Sequence, residues 1–315
     1  TEKLVFSAKT IILYIAFVLF LASLIHTLAN NYAADYASLS FFETMDKLWN
    51  SHSGGIIGGG ISCLLPLAWM ISTSFKPELD VFEYPIRWIP KRWNFNTYKT
   101  VFTDDLFPIY FLNSAKVTFF SVVGNVFFSA LAGYAFARLR FKGRNVLFII
   151  YLATMMVPNQ VLLVPKYLLF QTLHMPNTHY ALILPAMFEV FSVFLMRQAF
   201  MSVPRSLSEA AIIDGASQFR VFGQIILPQI KPTLLTVTLL QFTSSWNDYI
   251  NPKTYLSRDF MYTIPVGLQK FQMSNGSSYS TIMAGTAVSL IPIIILFIFT
   301  QKYFVESFAS SGVKG

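Results

Sequence analysis

The sequence predicts an all-α, polytopic helical membrane protein with six core transmembrane helices and a further apolar run at the N-terminus. Three observations carry that expectation. Hydrophobic residues make up 54% of the 315 residues and charged residues only 12%, with a mean hydropathy of +0.54, which is more apolar surface than a soluble domain of this length can bury. Several runs reach the roughly 20 apolar residues that a helix needs to cross a hydrocarbon core of about 30 Å. The runs are continuously apolar and not alternating, which selects helices over a barrel, since backbone polar groups in lipid must bond within the spanning unit.

Charge sets the orientation. The stretch Arg138-Leu139-Arg140-Phe141-Lys142-Gly143-Arg144 supplies four positive charges and no acid, whereas Lys76 to Asp105 balances five bases against five acids. The positive-inside rule places the first in the cytoplasm and the second outside. Membrane orientation thus accounts for the net charge of +8, and no nucleic-acid partner is needed.

From the N-terminus, residues 1–55 hold the apolar run Ile11 to Leu28 and a linker ending in Gly54-Gly55 and Gly58-Gly59-Gly60. Two placements of the run stay open: an extra helix with an outside N-terminus, or a segment lying along the interface. Ser38 to Glu43 is a poor cleavage context, so no signal peptide is expected. Residues 56–110 hold the first core span, Ile56 to Ser74, running outward into the external loop Lys76 to Asp105. Residues 111–304 form the main transmembrane domain. In it Tyr110 to Phe136 runs inward, Val146 to about Phe170 outward, Tyr180 to Phe200 inward, Ile230 to Ile250 outward and Thr281 to Tyr303 inward. Met201 to Gln229 is cytoplasmic, and Pro252 to Ser280 lies outside. Residues 305–315 are a small, polar cytoplasmic tail, expected to be flexible.

Enzyme chemistry finds little support. Cys63 is the single cysteine, and His26, His52, His174 and His179 are scattered, so neither a disulfide nor a metal site is expected. No Gly-x-x-x-x-Gly-Lys-[Ser/Thr] loop is present, so ATP is not expected to bind this chain in the usual way. An intramembrane lipid or glycan transferase would need paired acids or histidines near an interface. Asp104-Asp105 is the one adjacent carboxylate pair, and it reads more simply as a solvated turn.

The cytoplasmic segment is the most informative. Glu209-Ala210-Ala211-Ile212-Ile213-Asp214-Gly215-Ala216, followed by Leu227-Pro228, predicts a short helix with Leu207, Ala210, Ala211 and Ile213 as small or apolar contacts. Gly215 suits the left-handed turn that ends such a helix. The alternative is an amphipathic helix touching only lipid headgroups. Inside the spans, ionisable residues are costly and face a cavity or a partner. Glu189 lies near mid-depth, with Lys116 and Asp248 near the outer ends of their spans. Ser244-Ser245-Trp246-Asn247-Asp248-Tyr249 combines aromatic faces with hydrogen-bonding groups, the chemistry of sugar recognition. Glu189, Trp246, Asn247, Asp248 and Tyr249 are therefore candidate pathway residues, with a structural ion pair and an interfacial aromatic belt as the competing readings. Met156-Val157-Pro158-Asn159 interrupts a span with a proline kink, suited to a gate or to a static bend.

Several motifs together resemble one family. They are Asn113-Ser114-Ala115-Lys116-Val117, Ala130 to Arg140, Met156-Val157-Pro158, Leu195-Met196-Arg197-Gln198, the Glu-Ala-Ala segment and Gly312-Val313-Lys314-Gly315. This set resembles the carbohydrate branch of the type I ABC importer permeases, in particular the MalG-type subunit of maltose importers. The resemblance covers about two thirds of the chain and departs from the family before Ile56. It implies the permease fold of that family and a subunit of the bacterial cytoplasmic membrane that imports a sugar or oligosaccharide by alternating access. It implies no cofactor on this chain, ATP and Mg being bound by two partner ATPase subunits, with a second membrane subunit and an external solute-binding protein completing the assembly. It also implies that Leu207, Glu209, Ala210, Ala211, Asp214 and Gly215 dock into the ATPase subunit, and that Gly312 and Lys314 belong to a tail inserting between the two ATPase subunits. A permease for a non-sugar solute is the alternative within the family. An ion-driven transporter would leave the coupling segment unexplained.

Overall fold

The computed structural model describes residues 52–103, 106–274 and 278–312. The expected N-terminal run Ile11 to Leu28 and most of its linker lie outside the described residues. Every regular element described is helical. The chain divides into two compact units, Thr1–Asp104 with Leu268–Val288, and Asp105–Gly267 with Ser289–Gly315.

In the first unit, helix α1 (His52–Ser74) is 23 residues long with Pro66 inside it. A short turn at Glu78–Asp80 and helix α2 (Asn96–Thr103) follow. Beyond the last turn of α1, Phe75 packs against Trp93 at 5.5 Å, Phe95 at 5.5 Å and Tyr98 at 4.9 Å between ring centroids. Glu78 reaches residues far along the chain. Its carboxylate accepts from the Tyr279 N–H at 2.7 Å and the Ser280 N–H at 3.1 Å, and from the hydroxyls of Ser278 and Ser280. These are the first turn of the last helix, whose N–H groups have no partner within the helix.

The second unit is built on α3 (Phe107–Arg138), 32 residues long. One face of α3 carries Ser114, Ser121, Gly124, Asn125, Ser129, Ala130 and Gly133, all buried. Small residues are what let helices approach closely in a membrane, where no hydrophobic force separates protein from lipid tails. At Gly133 a Cβ would fall 2.6 Å from the Met196 Cβ, so nothing larger than glycine fits this crossing. Against that face lie α6 (Tyr180–Ala186), α7 (Val190–Ser202) and α9 (Lys231–Trp246). Near its N-terminal end Asn113 donates to the carbonyls of Phe260 and Tyr262, and the Ser114 hydroxyl accepts from the Ile264 N–H at 2.9 Å. The Asn113-Ser114 motif thus holds the segment that leads into α11 (Ile264–Ser274).

Two spans differ from expectation. Val146 to Phe170 is not one kinked helix: α4 (Arg144–Ala153) runs into a tight turn at Thr154–Met156, leaves helical geometry at Val157 (ψ 116°), and resumes as α5 (Leu163–Thr172). The cause is Pro158, which forces the residue before it out of the helical region and contributes no N–H. Likewise the span expected over Tyr180 to Phe200 is interrupted between α6 and α7, where Glu189 is extended, whereas the 79° bend between Gln218–Gln229 and α9, at Ile230 between Pro228 and Pro232, falls at the expected boundary of the span that starts at Ile230. Among the described residues, three helices are long and apolar enough to cross a membrane: Phe107–Arg138, Tyr180–Ser202 and Tyr279–Thr300. The bent pair would make a fourth. Of the six core spans expected from hydropathy, some are therefore assembled from pieces. The last helix, α12 (Tyr279–Gly312), has 34 residues. Its backbone stays helical through 305–312, where a flexible tail was expected.

Candidate functional site

The segment that follows α7 forms an exposed helical knob held on a packed base. Helix α8 (Arg205–Ile213) begins after Pro204 and ends at Asp214. Gly215 takes φ +80°, its N–H bonding to the Ile212 carbonyl at 3.0 Å and the Ala216 N–H to the Ala211 carbonyl at 2.9 Å. That pair of bonds is the Schellman closure of a helix, and the left-handed residue it needs is the glycine. Ser217 then starts the next helical stretch, its hydroxyl accepting from the Arg220 N–H.

The base joins residues distant in sequence. Tyr134 and Ala137 of α3, Met196 and Phe200 of α7, Val203, Ala211, Val221 and Ile226 of the segment that follows, and Ile230 just before α9 are all buried in one cluster. Tyr134 lies edge-on to Phe200 at 5.5 Å and to Phe222 at 4.9 Å. Arg138, the last residue of α3, donates from Nε to the Phe200 carbonyl at 3.0 Å and from Nη2 to the Val203 carbonyl. One guanidinium therefore ties the end of α3 to the carbonyls that lead out of α7 into the knob, a use of its fixed fork of donors.

Of the residues expected on the docking face, Leu207, Glu209, Ala210, Asp214 and Gly215 are exposed, as is Ile213. Ala211 is not: it points into the base and is buried. Its role is to seat the helix, because it is buried in the same cluster as Val221 and Ile226. Phe219, 86% exposed, stands with Ile213, 85% exposed, on the outside of the segment. The sequence reading missed Phe219. The Ser217 cap two residues before it was the available signal, since an apolar side chain in the first turn of a polar helix start has no interior to fill. Gly312 ends the described backbone of α12, and Lys314 lies outside the described residues.

The candidate pathway residues separate. Glu189 stands at the start of α7 with extended backbone (ψ 128°), in the break between α6 and α7, and its carboxylate accepts from the Ser192 hydroxyl at 3.3 Å. The turn Thr154–Met156 lies against α7, so the candidate gate and the helix headed by Glu189 are brought together. Met156, Pro158 and Asn159 are all exposed, and Asn159 accepts from Lys166 Nζ at 3.4 Å. Trp246 is buried: its indole N–H donates to the Ser289 carbonyl at 2.9 Å, its ring stacks on Phe242, and Phe111 meets it edge-on. Asn247 Nδ2 donates to the Thr243 carbonyl at 2.8 Å, and Asp248 accepts from both the backbone and side chain of Asn251 at the start of α10 (Ile250–Tyr255). These three side chains build the turn from α9 to α10. Tyr249 is the half-buried residue between them.

Comparison with known proteins agrees with this architecture. Residues 125–309 match the family model described as binding-protein-dependent transport system inner membrane component. The chain is 35% identical over 255 residues to the arabinooligosaccharides transport system permease protein AraQ of Halalkalibacterium halodurans, covering 80% of this chain and 91% of that protein. It is 36% identical over 258 residues to the galactooligosaccharides transport system permease protein GanQ of Bacillus subtilis, covering 79% and 90%. Among solved structures it is similar to a chain of a bacterial ABC transporter involved in the import of the acidic polysaccharide alginate, with a TM-score of 0.72 and 27% identity over 85% of this chain and 98% of that one.

Proposed function

Since the chain belongs to the binding-protein-dependent transport system inner membrane component family, we propose that it is the membrane gate of an ATP-driven importer of short oligosaccharides, moved by a nucleotide-hydrolysing partner that grips the knob at α8. It is a permease subunit and not an enzyme: its relatives are permease subunits of sugar transport systems. The observation that carries the coupling is the position of the knob. Its exposed face, Leu207, Glu209, Ala210, Ile213 and Asp214, sits on a base shared with α3 and α7, so a push on α8 is delivered to two spans without an intervening loop.

The rest of the cycle follows from that lever. Partner ATPase subunits hold ATP and Mg, and this chain holds no cofactor. A second membrane subunit completes the passage. An external solute-binding protein delivers the sugar to this subunit in the bacterial cytoplasmic membrane. Glu189 and the Met156-Pro158-Asn159 break are the parts of this chain placed to change with alternating access, because a helix broken on both sides can shift without unwinding a span. Asn247, Asp248 and Tyr249 shape the outer end. Oligosaccharides are the substrate class because the permeases named above serve arabino- and galactooligosaccharide uptake.

The test is uptake in proteoliposomes holding the complete transporter, with binding protein and labelled oligosaccharides outside and ATP inside. Uptake is expected to require both ATP and binding protein. Nucleotide hydrolysis by this chain alone, or uptake without the ATPase subunits, overturns the reading.

A further inference from the structure

The segment after α1 does not project away from the span. It turns back along it. The Ser72 hydroxyl donates to the Trp88 carbonyl, Trp88 meets Trp69 edge-on at 5.6 Å, and Lys76 Nζ, 4.1 Å over the Trp69 ring, donates to the Arg87 carbonyl at 2.6 Å. The chain then climbs again, the Asn94 N–H bonding to the Phe75 carbonyl at 2.8 Å. Trp69 lies five residues before the end of α1, about 7.5 Å below it along the helix axis at ~1.5 Å per residue. Residues 84–93 therefore form a loop whose turn sits at the depth of the last turns of the helix itself.

The loop leaves apolar side chains exposed. Ile86 is 63% exposed and Ile89 75%, Tyr84 is exposed beside them, and Trp88 and Trp93, though they meet Trp69 and Phe75, keep part of their rings uncovered, Trp88 at 49%. Contiguous exposed apolar surface of this kind marks an interaction site. Pro85 and Pro90 carry no N–H, and the carbonyls at Arg87 and Trp88 are already bonded to Lys76 and Ser72, so the backbone at the turn brings few unsatisfied polar groups to a low-dielectric layer. Three bases, Arg87, Lys91 and Arg92, stand among these residues against one acid, Glu83. Glu83 pairs with Lys91 at 2.6 Å and lies 3.9 Å from Arg87. Among the described residues Arg92 forms no salt bridge.

We propose that residues 84–93 are an outer-leaflet lipid-binding loop, with Ile86, Trp88, Ile89 and Trp93 seated at the acyl boundary and Arg87, Lys91 and Arg92 reaching phospholipid phosphates. Aromatic residues concentrate at this level of the bilayer, and long basic side chains extend from it to the headgroups. A surface for a soluble partner would stand clear of the bilayer, and this one lies alongside the span. The proposal rests on the outward placement of the Ser74 end of α1 and is independent of the sugar carried.

The test uses Ile89→Cys in a Cys63→Ser background. The chain is nitroxide-labelled and studied within the complete transporter in nanodiscs of phosphatidylglycerol and phosphatidylcholine. The expected result is oxygen access well above that of a water-soluble nickel chelate. Preferential access of the nickel chelate places the loop in water, and exclusion of both reagents shows a protein covering it; either overturns the proposal. Depth should decrease as phosphatidylglycerol is withdrawn and become indifferent to it in Lys91→Gln with Arg92→Gln. A parent loop indifferent to phosphatidylglycerol overturns the headgroup assignment. If Ile89→Cys does not assemble, Ile86→Cys on the same loop gives the same readout. Normal oligosaccharide uptake with a water-exposed label removes the lipid loop and leaves the transport function standing.

Discussion

Gly215 decides where the exposed helix ends, and Glu209 is the charge that this helix presents. At φ +80° an L side chain costs roughly 1–2 kcal/mol, and losing the closure would let α8 fray from its C-terminal end. Gly215→Val is therefore expected to leave insertion and assembly intact while lowering substrate-stimulated ATPase activity severalfold. Glu209→Lys, on an exposed face with no part in the buried base, is expected to abolish that stimulation outright. Both are read as ATPase rate with and without loaded binding protein, and normal stimulation in the pair would show that α8 is not the handle. The two residues were legible in the sequence because their signals are local: a glycine closing an apolar run, an acid between small residues. Ala211 and Phe219 were not. Whether the one is buried and the other exposed depends on Tyr134, Val221 and Ile226, which sequence spacing alone does not bring together.

At the level of elements, prolines were readable and their consequences were not. Pro158 was expected to bend a span, yet it ends one helix and separates it from the next, because Val157 before it and the missing N–H after it act on the same turn. The clamp of Glu78 on α12 was invisible for a different reason: the partners are about 200 residues apart, and no pattern links them. Burial pushes the Glu78 carboxyl up, but the N–H groups of Tyr279 and Ser280 and the hydroxyls of Ser280 and Ser278 outweigh it, and the group titrates below the ordinary carboxylate value. The sign follows from linkage. A carboxyl whose folded pKa is depressed contributes stability that is full above its unfolded pKa and is lost as pH falls through the folded one. Glu78→Gln should cost about 1 kcal/mol at neutral pH, the size of a lost helix cap, and less where solvent screens this exposed group. The acid-side fall in thermal stability should shrink with it, and an unchanged pH profile in Glu78→Gln would show that the clamp contributes nothing.

For the molecule as a whole, one continuous helix outgrows the bilayer. At ~1.5 Å per residue, the 34 residues of α12 extend about 51 Å along the axis, against a hydrocarbon core of about 30 Å. Hydropathy could mark the apolar part, Tyr279–Thr300, but not the polar turns beyond it. Residues such as Ser307 and Ser310 have no strong helical signal of their own and continue a helix already nucleated upstream. A helix that leaves the membrane still intact delivers its end at a fixed height, whereas a flexible tail would lose entropy on every docking. Deleting Gly312 to Gly315 removes the end and leaves the apolar span whole. The deletion should preserve expression and assembly and reduce the coupling ratio, measured as sugar moved per ATP hydrolysed in proteoliposomes. Truncating further, from Ser307, should reduce the ratio more, since it also removes the helical turns that hold the end in place. If both truncations keep the parent ratio, the knob at α8 carries all of the coupling that this chain provides.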